Sequence, residues 1–329
     1  MRLIVQIPAL NEDRTIADVI RSIPATIPGV DEIRVLVVDD GSTDRTSELA
    51  RAAGAEVIRH PERQGVGAAF RTGINRAMDL CADVVVTIDA DGQFNPADIP
   101  EVIRPIVENR ADFVTASRFM DPARAPRMPK AKRWGNDFIA RWISGLVNQK
   151  FYDVSCGFRA YNRNAFLRLV LLGDFTYTHE TFLSLAFARV RICEVPMLVR
   201  GVREHGTSRI ASNLFRYGAR TATIILKTYR DYQPLRFFGW IATVCLVPAL
   251  GLGAFLLWWW ATTGGFSPHK WAGFASATLL GLAMATFLVG VVAEMLDRLR
   301  IAQDELVFRV RRLEMKESGV ESRDATTAS

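Results

Sequence analysis

Asp89 and Asp91 stand one residue apart, with Gln93 two further on, in the run DADGQ (89–93). In an extended chain alternate side chains share a side, so two carboxylates and an amide oxygen would project together. An oxygen-only set of this kind suits a hard divalent cation, Mg²⁺ or Mn²⁺, which takes one or two carboxylates and fills its shell with water and phosphate oxygens. A cation so placed neutralises a diphosphate as it departs. Two further acidic clusters accompany it, one in Pro8–Glu12 and one at Asp39–Asp40. Gly65 and Gly67 form a glycine-rich turn, but the third glycine of the dinucleotide fingerprint and the Walker lysine-serine pair are missing, so this turn is a weak phosphate signal.

These residues need a scaffold, and the chain supplies a regular one. Leu3–Ile7, Ile33–Val38, Glu56–Ile58, Val84–Ile88 and Phe113–Ala116 read as strands, with helical patterns between them. Strands joined by helical crossovers make right-handed βαβ units, hence an α/β domain with a mainly parallel, Rossmann-like sheet. The three acidic clusters follow the first, second and fourth strands, and in open α/β sheets the ligand crevice lies outside such strand ends. Asp-Gly pairs are also ordinary turn chemistry, but three clusters at one sheet edge ask for a common ligand. Ser42 is expected to cap a helix running through Ala53, and Asn95 and Pro96 to start another.

Six segments in order, IPALNED (7–13), VDDGSTD (38–44), DADGQ (89–93), ASRF (116–119), DVSCGFRAY (153–161) and REHGTSR (203–209), resemble glycosyltransferase family 2 enzymes of the GT-A fold. The likeness extends to the polyprenyl-phosphate glycosyltransferases similar to dolichyl-phosphate mannose synthase, and covers roughly residues 1 to 235. It implies that Pro8, Leu10, Glu12, Asp39, Asp40, Gly65, Asp89, Ala90 and Asp91 hold a nucleotide-sugar donor, and that Asp89, Asp91 and Gln93 hold its metal. It implies an acceptor site at Arg118, Arg133, Ser155, Arg203, Ser208 and Arg209, with Asp89, Asp91, Arg118 and Arg203 catalytic. The donor reading leans to a UDP-sugar over GDP-mannose, and the sugar itself is not encoded in these motifs. Where relatives commonly carry Thr-Ser-Gly-Phe-Arg, this chain has Ser155 and Cys156 before Gly157. A lipid phosphate is already ionised near neutral pH and needs no strong base, so Glu180 reads as structural or acceptor-positioning.

Beyond that region, apolar residues run almost unbroken from about Phe237 to Ala261 and from about Trp271 to Leu296, each long enough to cross a bilayer. Arg230 and Arg236 precede the first run, and Arg298, Arg300, Arg309, Arg311 and Arg312 follow the second, which puts both chain ends on the cytoplasmic side. The expected organisation is a cytoplasmic GT-A domain (1–207), a juxtamembrane amphipathic helix (208–235), two transmembrane helices with a short external loop (236–297), and a cytoplasmic helix with a disordered polar tail (298–329). A multi-pass membrane location, a lipid bilayer as partner and an association of copies through the spans accompany this reading. A solvated amphipathic helix is expected over Leu299–Leu313.

In the 329-residue chain of net charge +6, Arg118, Arg124, Arg127, Lys130, Lys132 and Arg133 crowd around one acid, Asp121. Without a base-reading helix or a stacking platform this stretch addresses lipid phosphate and not nucleic acid. Trp134, Phe138, Trp142 and Leu146 follow at four-residue spacing, a stripe that fits either the domain core or a membrane interface. Four cysteines without a C-x-x-C pair argue against a disulfide framework or zinc site. A processive polysaccharide synthase would carry a Q-x-x-R-W motif and more spans; a non-catalytic nucleotide-sugar binding module would have lost part of the metal run or the arginines; a transporter would need polar residues within its spans.

Overall fold

β1 (Arg2–Ala9), β2 (Glu32–Asp39), β3 (Glu56–Arg59), β4 (Val84–Thr87) and β5 (Phe113–Ser117) occupy the segments whose apolar runs announced them. The computed structural model describes residues 1–124, 126, 128, 130–169, 178–199, 222, 223, 226, 227 and 229–327. Among these, β6 (Arg159–Asn162) and β7 (Ile192–Pro196) complete a seven-stranded sheet of order β3-β2-β1-β4-β6-β5-β7. Every pairing is parallel except those of β6, which runs antiparallel to β4 and β5. The α/β reading and its mainly parallel sheet therefore hold. Pro196, which has no N–H to give a ladder, sits at the end of the edge strand β7.

Both faces of the sheet are covered, as a parallel sheet requires. Along β1, Leu3, Val5 and Ile7 join one apolar cluster while Ile4 joins the other. The first cluster is closed by α1 (Ile16–Arg21), α2 (Thr46–Ala52) and α4 (Ile99–Val107) through Ile16, Val19, Ala50, Ile99 and Val102. The second is closed by α3 (Val66–Asp79), α5 (Lys130–Val147), α6 (Arg163–Leu167) and α7 (Thr178–Phe187) through Phe70, Ile74, Ile143, Phe166 and Phe182. The aromatic stripe of α5 divides: Trp142 and Leu146 pack against this cluster, while Trp134 and Phe138 stand 69% and 52% exposed.

The chain separates into two units, residues 1–225 with 304–329, and residues 226–303. The second unit holds α8 (Pro234–Thr263) and the first part of α9 (Lys270–Thr327), two helices long and apolar enough to cross a membrane. Gly264, at φ 70°, ends α8 with its N–H on the Trp260 carbonyl. α9 does not stop where the apolar run ends: it continues to Thr327, into the stretch expected as a disordered tail. Its distal part belongs to the first unit, where Phe308 and Met315 are buried in the second cluster. Arg311 donates to the carbonyls of Leu167 (3.2 Å), the last residue of α6, and Leu169 (2.8 Å), just beyond it, and the Arg168 guanidinium lies 4.1 Å from the Phe308 ring centre. The helix expected here is docked through Phe308, Arg311 and Met315, while the spaced residues Leu299, Leu306, Val310 and Leu313 keep the solvent-facing side expected of them, at 63%, 61%, 52% and 59% exposure.

Candidate active site

Three loops at the C-terminal ends of β1, β2 and β4 are tied to one another by short polar side chains. Asn11 N–H donates to Ser42 Oγ (2.8 Å) and Glu12 N–H to Thr46 Oγ1 (2.8 Å), while Thr43 N–H donates to Asn11 Oδ1 (2.8 Å). Thr15 Oγ1 then donates to the Ala90 carbonyl (2.7 Å), joining the first loop to DADGQ. The strand-end convergence expected for Pro8, Leu10, Glu12, Asp39, Asp40, Asp89, Ala90 and Asp91 is what the sheet order produces. Ser42 does not cap α2, because its hydroxyl and amide serve the turn; the helix starts at Thr46, whose N–H meets Asp44 Oδ1 (2.9 Å).

Asp39 and Asp40 are organisers of this edge. Asp39 is fully buried and accepts from Ser42 N–H (2.8 Å) and from the Ser47 hydroxyl. Asp40 accepts from Gln64 N–H (2.8 Å) and Gly65 N–H (2.9 Å) and faces His60 Nδ1 at 3.0 Å, whose Nε2 meets Thr72 Oγ1 at 3.0 Å. Gly65, at φ 107°, then opens α3. Gly41 lets the chain turn between these parts at φ 78°, and a Cβ there would lie 2.8 Å from the Glu62 carbonyl carbon and 2.9 Å from Arg63 N. Both neighbours are backbone and cannot swing aside, so Gly41→Ala is expected to destabilise by about 1–3 kcal/mol, read as a lower melting temperature.

DADGQ is a turn and not the extended run assumed from spacing: β4 ends at Thr87, Gly92 adopts φ 70°, and Asp91 Oδ1 accepts from Gln93 N–H (3.0 Å). Asp91 is buried and Asp89 half-buried. Gly157, from the β6 approach, lies against Asp89 so closely that a Cβ would sit 2.8 Å from Asp89 Oδ2 and 3.1 Å from Oδ1. Phe94 and Phe158 pair at 5.5 Å beside this contact. Among the described residues no three His, Cys, Asp or Glu side chains gather into a self-sufficient metal site. An all-oxygen pair of carboxylates with an amide, cradled against a glycine, nevertheless fits Mg²⁺ or Mn²⁺, which retain positions for substrate phosphates.

The basic side of the site is organised around Asp153, which is completely buried. Arg118 grips it with Nε on Oδ2 (2.6 Å) and Nη2 on Oδ1 (2.9 Å), and Nη2 also donates to Ser155 Oγ (2.7 Å). Arg118 and Arg133 both lie over the Phe119 ring, at 5.2 and 5.5 Å, so Arg133 stands beside the arginine that holds Ser155. Glu194 on β7 holds this loop by accepting from Tyr152 N–H (2.9 Å) and Asp153 N–H (2.8 Å), and its own burial pushes its carboxyl up. Cys156 is packing and not chemistry, since burial pushes its thiol up to about 12. Arg203, Ser208 and Arg209 lie outside the described residues, as does the segment 208–221 of the expected juxtamembrane helix. Glu180 is half-buried in the first turn of α7.

Burial alone would push the Asp153 carboxyl up, but the charge and bonds of Arg118 outweigh it and hold the group below the usual range. A carboxyl depressed on folding stabilises fully above its unfolded value, about 3.9, and the stabilisation is lost as pH falls through the folded value. Asp153→Asn strands the Arg118 charge, whose side chain is 15% exposed, and is expected to cost about 3 kcal/mol at neutral pH. Thermal melts should show that gap narrowing only below about pH 4.

Sequence reasoning missed Asp153 and Glu194, although Asp153 opens the DVSCGFRAY segment (153–161) that carried part of the resemblance. It also missed Arg159, which is 0% exposed on β6 and donates to the carbonyls of Cys156 (2.7 Å), Val154 (3.0 Å) and Thr178 (2.7 Å).

Residues 4–170 match the family model described as Glycosyl transferase family 2. The chain is 33% identical over 179 residues to the UDP-N-acetylglucosamine–dolichyl-phosphate N-acetylglucosaminyltransferase of Methanococcus voltae, covering 48% of this chain and 68% of that one. It is 29% identical over 231 residues to the undecaprenyl-phosphate mannosyltransferase of Micrococcus luteus, covering 65% and 89%. Its fold is similar to glucosyl-3-phosphoglycerate synthase from Mycobacterium tuberculosis crystallised with Mn²⁺ and UDP-glucose, at TM-score 0.54 and 25% identity, covering 69% and 78%.

Proposed function

The chain belongs to glycosyl transferase family 2, and on that footing we propose that it transfers a hexose from a nucleotide-sugar to the phosphate of a polyprenyl lipid, with inversion at the anomeric carbon. The observation that carries the reading is the contact between Asp89 and Gly157, which sets the acidic turn beside the Arg118–Asp153–Ser155 cluster two residues away in sequence. A donor diphosphate and an acceptor phosphate are both anionic, and this is where they must meet. Relatives from an archaeon and a bacterium carry dolichyl phosphate and undecaprenyl phosphate in their names, which supports the acceptor class.

Asp89, Asp91 and Gln93 would hold Mg²⁺ or Mn²⁺, which when bound neutralises charge on the departing nucleoside diphosphate. The loops at Pro8–Glu12, Asp39–Asp40 and Gly65 enclose the nucleoside end of the donor. An oxygen of the lipid phosphate forms the new bond to the anomeric carbon as the bond from that carbon to the diphosphate oxygen breaks. The attacking oxygen is already ionised, so the protein aligns and excludes water and need not remove a proton. Arg118 is committed to Asp153 and Ser155, and through them it fixes the loop that receives the acceptor; Arg133 stands beside it over Phe119, with Arg203, Ser208 and Arg209 completing the acceptor set in this proposal. Glu180 positions and does not deprotonate. The two apolar helices anchor the chain in the bilayer with the catalytic unit on the cytoplasmic side.

The test is transfer by detergent-purified protein given a polyprenyl phosphate, Mg²⁺ or Mn²⁺, and a panel of labelled UDP- and GDP-sugars. Label should enter the lipid phase from one donor, a UDP-sugar by preference, and stop with chelator. Metal-dependent nucleotide binding without any lipid product would instead favour a different acceptor or a nucleotide-sugar binding module.

A further inference from the structure

The second unit contains a furrow that the transfer site does not use. It lies between α8 and the apolar part of α9, has a volume of about 820 Å³, and falls in the range of about 300–1,000 Å³ typical of ligand pockets. Its floor is made by small buried residues, Ala242 and Ala283, at 7% and 5% exposure. Its walls are large and open, with Trp240 70% and Phe287 49% exposed. The one hydroxyl in the lining, Thr243, is turned back onto the Gly239 carbonyl (2.8 Å), so the surface offered is apolar.

One end of the furrow differs from the rest. Arg236 is exposed there and donates to the neutral Gln233 Oε1 (3.1 Å), which leaves its charge uncompensated by that contact. From Arg236 the lining on α8 runs to Leu246, a rise of about 15 Å at about 1.5 Å per residue, or roughly half of a bilayer core about 30 Å thick. The basic residues that flank the spans put the Arg236 end at the cytoplasmic interface. The furrow is therefore a slot of one leaflet's depth, with a cation at the headgroup level and room for one chain between the two helices.

We infer that this furrow binds the polyprenyl chain of the acceptor, with Arg236 receiving its phosphate end before or after transfer. The inference rests on the proposed acceptor class and extends it to a specific surface. A furrow lined by two helices with one guanidinium at its end suits a lipid that carries one phosphate on one chain, and the guanidinium matches that phosphate.

The test uses the full chain in nanodiscs of phosphatidylethanolamine and phosphatidylglycerol, with a polyprenyl phosphate that carries a diazirine within its isoprene units. Ultraviolet labelling should fall on peptides containing residues 239–246 and 280–287 of the wild-type protein. Excess unlabelled polyprenyl phosphate should remove the label, while added phosphatidylglycerol should not. Arg236→Gln should weaken competition by polyprenyl phosphate about tenfold, one charge-assisted bond's worth, and Ala283→Trp, which fills the floor, should abolish labelling. Equal competition by phosphatidylglycerol would make the furrow an ordinary lipid-facing surface and overturn the inference. Cross-links between copies through these residues would overturn it too, by making the furrow an interface of the chain with itself. Sugar transfer with the label elsewhere sinks the furrow alone; label in the furrow without transfer from any donor sinks the transferase reading and leaves the lipid site standing.

Discussion

Asp91→Asn should reduce sugar transfer by roughly two to three orders of magnitude, since metal stabilisation of developing charge is worth several kcal/mol and each 1.4 kcal/mol is about tenfold. Asparagine keeps the volume of the buried side chain, and its amide oxygen can still accept from Gln93 N–H, so the turn should survive. What disappears is an anionic ligand. The variant should therefore melt close to wild type while needing much more Mg²⁺ or Mn²⁺ for half-maximal rate. Rates measured across a metal titration decide it: an unchanged rate and metal requirement would remove Asp91 from the metal site.

Gly157→Ala should cut kcat about a hundredfold, the scale on which a misplacement near 1 Å is felt, while leaving stability nearly intact. The added Cβ would lie 2.8 Å from Asp89 Oδ2, so something must yield. The neighbour is the end of a side chain, and it can rotate away at little cost to the fold but only by leaving its working position. Gly41→Ala is the useful contrast, because there the obstacle is the backbone of Glu62 and Arg63. Kinetics and melting measured on the pair should separate cleanly, one losing rate and the other stability. A Gly157→Ala protein that melts early yet turns over normally would show that the glycine serves packing and not the carboxylate.

Much of this architecture was legible before any coordinates. Five strands with apolar runs and crossover spacing lead directly to the parallel part of the sheet, and the acidic clusters then fall at its edge. β6 and β7 were not legible, for a physical reason. β6 is four residues long and begins with Arg159, whose burial depends on three carbonyls that only the folded loop brings together. β7 carries Glu194 facing amides of a distant loop. In the candidate site, the types of Asp89, Asp91 and Arg118 pointed to their chemistry, but Arg118's grip on Asp153 depends on long-range geometry. The turn at DADGQ was misjudged because spacing alone cannot tell an extended pair of carboxylates from a curled one. The docking of the last helix was not legible because the residues that repeat at helical spacing, Leu306, Val310 and Leu313, stay exposed, while Phe308 and Met315, off that stripe, enter the core.

That docking has a bearing on how the protein is made. Leu169 and Arg311 are 142 positions apart, and at about 5–20 residues per second their meeting is delayed by roughly 7 to 28 seconds of synthesis. During that interval the nascent domain is present but lacks Phe308 and Met315 from its second cluster. A ribosome stalled after residue 303 should accordingly expose a domain more open to protease than the finished chain. The second cluster is thus completed only after both apolar helices have been synthesised, so the catalytic domain reaches its final packing last of all.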